Sequence, residues 1–180
     1  MPRYSMLLPA LMLSFTINAQ SKPAYHHEKV PCSFDGKLTS RRFQLAGQPY
    51  TVRYGVFCAG PFSEADTVQA ATDSLGSAQL PVVYHSQEQR VKIQLISGAK
   101  TQEIIVRKAM FNRRFAGQQE WPKIGFGSTS LERIDEQKRL LVFSTFVGYP
   151  FSDHGWLLKY SVDMNGVVSY KGLEDAVLGP

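Results

Sequence analysis

Arg139-Leu140-Leu141-Val142-Phe143-Ser144-Thr145-Phe146-Val147-Gly148-Tyr149 opens a run that continues through Trp156–Asp163 to Val167–Gly172, and its reading decides the fold. The three segments read as consecutive strands. Leu140 to Val147 is apolar at odd and even positions alike, the pattern of a central strand packed on both faces. The last turn, Asp163-Met164-Asn165-Gly166, offers two hairpin registers. A two-residue Asn-Gly loop would set Val162 across from Ser169 and Tyr160 across from Lys171, mixing both faces. A type I turn with Gly166 left-handed in a G1 bulge sets Val162 against Val168, Tyr160 against Tyr170 and Leu158 against Gly172. The other face then carries Ser161 with Ser169 and Lys159 with Lys171. A one-residue slip moves every side chain to the opposite face, so the bulged register, which segregates the faces, is the expected one. Its weak point is Lys159 opposite Lys171, a like-charge pair.

Upstream the same strand rhythm recurs. Leu38–Leu45 and Tyr50–Phe57 make a hairpin around Gly47-Gln48-Pro49, with Tyr50, Val52, Tyr54 and Val56 on one face. Leu80–His85 and Arg90–Ile96 make a second around Gln87-Glu88-Gln89. Gly98-Ala99-Lys100 turns the chain into Thr101–Lys108, and Ile124–Ile134 is a further strand. One helix is expected over residues 63–75. Ser63 caps it, Glu64 and Asp66 favour its dipole, Ala65, Val68, Ala71 and Leu75 form an apolar stripe, and Gly76 ends it. The expected fold is mainly β, an antiparallel sheet folded as a sandwich or incomplete barrel, with this helix on one flank.

Residues 1–19 have the pattern of a secretory signal peptide: Arg3, a mostly apolar run from Met6 to Ile17, and the small residue Ala19 at its end. The run is too short, and too interrupted by Pro9, to read as a spanning helix. Residues 20–180 then form a single β-rich domain of a size that can bury its own core. Lys and Arg number 20 against 15 Asp and Glu, a net charge of +5 that falls to +4 once Arg3 leaves with the leader. So mild a basic balance excludes nucleic acid as the expected ligand of an exported chain and permits an acidic protein or glycan. The 2 cysteines, Cys32 and Cys58, are expected to form one disulfide. They lack the Cys-x-x-Cys spacing of a redox pair and the paired spacing of a zinc site. With no Asn-x-Ser/Thr sequon, a periplasmic or secreted bacterial setting is favoured.

No catalytic signature emerges. Ser152-Asp153-His154 holds the letters of a triad, but sequence neighbours cannot converge as a triad must. Gly125-Phe126-Gly127-Ser128 lacks the lysine of a phosphate loop and reads as a strand start. His26-His27 point to opposite sides of an extended segment and do not chelate together. No catalytic residue, metal ligand or cofactor is assigned. Two surfaces remain. One is basic and aromatic: Arg107 and Lys108 at the end of a strand, then Phe111, Arg113, Arg114 and Phe115 in the long segment from Ala109 to Lys123 that follows. The other is the loop carrying Tyr149, Phe151, Asp153, His154 and Trp156, rich in the residue types that anchor interfaces. The expected function is a periplasmic binding protein acting by occlusion, an inhibitor or immunity protein of an envelope-active enzyme or toxin. The alternatives are a small hydrolase using His154 or His85 with a carboxylate, and a structural or lipid- or glycan-carrying envelope protein.

Overall fold

Among the described residues nine strands form two sheets, and the apolar halves of both sheets meet in one core. The structure is a computed structural model that describes residues 24–68, 80–149 and 154–176, without the side chains of residues 64–68. The first sheet holds β1 (His26–Lys29), β2 (Thr39–Leu45), β3 (Gln48–Val68), β4 (Val82–Ser97) and β5 (Lys100–Val106). Its order is β1-β4-β3-β2, and β5 shares with β1 the free side of β4. The second sheet is β6 (Gly125–Asp135), β7 (Leu140–Gly148), β8 (Gly155–Asp163) and β9 (Val168–Asp175), in sequence order. The sheets do not close into a barrel, so the fold is an open sandwich.

The core forms where the inward residues meet. Val52, Tyr54 and Val56 of β3 and Val91, Ile93 and Leu95 of β4 face Leu141, Phe143, Leu158, Tyr160 and Val162. Tyr54 meets Phe143 edge-on across the interface at 5.5 Å between centroids, and Phe143 stacks on Tyr160 at 5.7 Å. The long segment after β5 closes one side. Its short 3-10 turns, Lys108–Phe111 and Trp121–Lys123, turn Phe111, Phe115 and Trp121 into the core. Phe115 stacks on Trp121 at 4.1 Å, and Trp121 Nε1 donates to Asn112 Oδ1 at 2.7 Å.

The β8–β9 turn has the bulged form. Gly166 takes φ 84°, its N–H donates to the Asp163 carbonyl at 3.0 Å, and Val162, Ser161 and Tyr160 pair with Val168, Ser169 and Tyr170. Beyond Tyr170 the expected register fails. Lys171 is an extra residue in β9, so Lys159 pairs with Gly172 and Leu158 with Leu173. The bulge removes the Lys–Lys pair and turns Leu173 toward the core. Lys159 Nζ instead lies 2.7 Å from Glu174 and 3.8 Å from Glu132.

Two other expectations are corrected. The helix over residues 63–75 is not supported. Ser63 to Val68 continue β3, pairing with Val82 to Ser86 of β4 through two irregularities, while residues 69–75 lie outside the described region. A ready partner strand outweighs the weak helical preference of a stripe half made of alanine, and Thr67 and Val68 suit a strand. Gln87-Glu88-Gln89 is no hairpin turn. β4 runs straight through it, because Glu88 and Gln89 find partners in Ala59 and Cys58. The polar segment before Cys32 contributes a strand: β1 lies parallel to β4, which makes this sheet mixed.

Candidate functional site

Five segments far apart in sequence converge on an open groove of about 350 Å³ at one end of the sandwich. The first is the strap Val30 to Phe34. It hangs from β1 and is fastened by the Cys32–Cys58 disulfide, whose Cα atoms lie 6.1 Å apart. Cys58 sits in β3 opposite Gln89, so the bond ties the strap to the middle of the first sheet. The other three linings are Ser86, Gln87 and Gln89 of β4, Gly125 to Gly127 of β6, and Phe146, Gly148 and Tyr149 at the end of β7.

The glycines let the backbone and a ring come close. A Cβ on Gly127, Gly148 or Gly155 would stand 2.7, 2.8 or 2.5 Å from atoms of the Phe146 ring. Phe146 therefore lies across three side-chain-free positions on β6, β7 and β8, and its half-buried ring forms part of the groove wall. A Cβ on Gly125 would be 2.5 Å from Gln89 Oε1, so that glycine admits the amide into the groove. An extra residue in β6 between Phe126 and Thr129 accompanies this crowding.

A smaller pocket of about 120 Å³ adjoins the groove and shares Ser86, Gln87, Gln89, Gly125 and Phe126 with it. Lys108 reaches into it. Its Nζ donates to the carbonyls of Pro122 at 2.9 Å and Ile124 at 2.6 Å. Burial pushes the Lys108 ammonium below the usual lysine range, with Glu88 pulling the other way. Glu88 is engaged by Arg90, which donates from Nε at 2.8 Å and Nη2 at 2.5 Å.

The residues singled out in the sequence fall into separate places. Tyr149 lines the groove. Trp156 pairs with Val147 in β8 and packs against the core, so it serves the fold first. His154 is exposed, and Phe151 and Asp153 lie outside the described residues. Of the basic group, Arg107 and Arg113 are exposed, Arg114 lies 5.9 Å over the Tyr170 ring, and only Lys108 turns inward. His85 and His27 stand on neighbouring strands with Nε2 and Nδ1 3.0 Å apart. Their ring centroids are 5.2 Å apart, which sets the two nitrogens nearly end to end, the geometry of an N–H···N hydrogen bond. Among the described residues no cluster of three metal-ligating side chains occurs, and no helix is long and apolar enough to cross a membrane. The groove itself was not legible in the sequence. Its one local trace is the recurrence of glycine at 125, 127, 148 and 155 around Phe146.

No protein-family model matches this chain, and no curated protein is similar to it.

Proposed function

We propose that this chain is an exported binding protein that acts by occlusion, as an inhibitor or immunity protein of an envelope-active enzyme or toxin. The observation that carries the reading is the groove, a concave, mostly apolar surface whose walls are fixed before any partner arrives. The disulfide holds one wall, and the glycine bed under Phe146 holds another. Preorganised walls spare a complex the cost of ordering them. Tyr149, one of the aromatic residues of the 149–156 segment, lines the groove. The sandwich interior is occupied by Phe143, Tyr160, Phe111 and Trp121, which favours a surface-binding role over carriage of a lipid inside the fold. The signal-peptide pattern and the disulfide support export to an oxidising compartment.

The test is affinity capture of a partner from an envelope extract with the mature protein, followed by measurement on the purified pair. The partner should be an enzyme or toxin whose activity falls on binding. Tyr149→Ala and Phe151→Ala should each weaken the complex by about 2 kcal/mol while circular dichroism stays unchanged. Full affinity in both folded variants overturns the assignment of this end of the sandwich as the contact face.

A further inference from the structure

We propose that the groove and the adjoining pocket form one two-part site, in which the pocket binds a carboxylate and the groove binds the apolar group next to it. The partner's docking segment would therefore carry an acidic residue, or a chain end, beside an aromatic or aliphatic side chain. The inference rests on the proposed docking role of the groove and names the chemistry it selects.

The cation is Lys108. Two of its three ammonium donors go to the carbonyls of Pro122 and Ile124, which leaves one for the pocket. Among the described side chains, which leave out those of residues 64–68, Lys108 makes no ion pair within 4.0 Å, although it is half-buried. A half-buried charge that donates to neutral carbonyls gains from an added anion, because the surrounding dielectric is low. Glu88 lines the same pocket and would oppose an anion, but its carboxylate is held by Arg90 through two hydrogen bonds. Lys123 adds a second positive charge, held only loosely by Glu120 at 4.0 Å. Ser86 and Gln89 bring further donors. The space is that of roughly four waters, enough for a carboxylate and part of its hydration shell. Because Ser86, Gln87, Gln89, Gly125 and Phe126 line both cavities, one short segment can fill the two together.

The probe is 3-phenylpropionate, compared with 3-phenylpropionamide and with acetate, titrated into the ¹⁵N-labelled mature protein. Phenylpropionate should shift the amides of Gln87, Gln89, Gly125 and Phe126 saturably and bind about tenfold or more tighter than either comparison compound. Lys108→Met should bring the acid down to the level of the amide and leave amide binding unchanged. If Lys108→Met does not fold, the acid-to-amide ratio on the parent protein decides alone. Equal binding of acid and amide in the groove overturns the carboxylate assignment and leaves the docking groove standing. Absence of shifts at Phe34, Phe126 and Tyr149 with every probe overturns both.

Discussion

The phenol oxygen of Tyr160 lies 3.1 Å from Oγ1 of Thr145, in the fully buried centre of the second sheet. Thr145 Oγ1 is in turn 2.8 Å from Thr129 Oγ1, and Thr129 donates to the Ser144 carbonyl at 3.3 Å. With that last bond fixed, the chain has one consistent direction. Tyr160 donates to Thr145, Thr145 to Thr129, and Thr129 to the backbone, so each buried hydroxyl is satisfied. The chain joins β8, β7 and β6 on their inner face.

An alkaline weakness follows. Burial pushes the Tyr160 phenol up to about 12 from 10.0, against the opposing effect of its threonine hydrogen bonds. Between these two values the unfolded chain has released this proton and the folded chain has not, so stability falls as pH rises. The loss is roughly 1 kcal/mol per pH unit over that window. Urea unfolding at pH 9, 10 and 11 should show a steeper decline for the parent than for Tyr160→Phe. Identical slopes would mean the phenol is solvated.

The β8–β9 register predicts unequal costs on neighbouring residues. Tyr160→Ala empties a fully buried ring site and should cost about 3 kcal/mol or more. Lys159→Ala removes only solvent-facing ion pairs to Glu174 and Glu132 and should leave the unfolding midpoint near that of the parent. Deleting Lys171 removes the bulge while keeping Tyr160–Tyr170 and Lys159–Gly172 paired, so it should cost far less than Tyr160→Ala. A deletion as damaging as Tyr160→Ala would show that the bulge itself is needed.

The glycine bed can be probed by single methyl groups. A Cβ on Gly155 would meet the Val147 carbonyl oxygen at 2.4 Å as well as the Phe146 ring, and neither can step aside easily. Gly155→Ala should destabilise by about 1–3 kcal/mol, as overpacking does. Gly172→Ala meets nothing within 4 Å and should be neutral or slightly stabilising. Thermal unfolding of the two variants side by side makes the comparison.

Cutting the strap loose should cost stability as well. Replacing both Cys32 and Cys58 by serine removes a bridge across 26 residues, worth about 3 kcal/mol in the loop-entropy description. Exchange of the Val30 amide hydrogen should then speed up, since that N–H now donates to the His85 carbonyl at 2.8 Å. Unchanged protection there would mean that β1 is held by its pairing alone.

The C-terminal half of the fold was legible because its information is local. Alternation fixes the faces of β7 to β9, and Gly166 fixes one turn. The rest depends on distant partners. Nothing near Ser63 announces that Val82 to Ser86 will draw it into a strand, and nothing near Gln87 announces Cys58 and Ala59 opposite. The Lys171 bulge left one trace, the like-charge pair that a plain register would have produced. The groove left less, since its walls come from segments around residues 32, 58, 87, 126 and 147. Lys108 looked like its exposed basic neighbours until the 3-10 turn aimed it inward.

The parallel pairing of β1 with β4 also sets an order of events. His26 lies opposite Val82, so β1 cannot dock until 56 further residues have been made and β4 has found β3. Loop closure over that span is slow compared with the hairpins β2–β3 and β6–β7, whose partners are close in sequence. The strap is thus a late arrival, laid over a sheet that already exists. The first cysteine waits in the chain for its partner in β3 to be placed, and the groove acquires its outer wall as one of the last acts of folding.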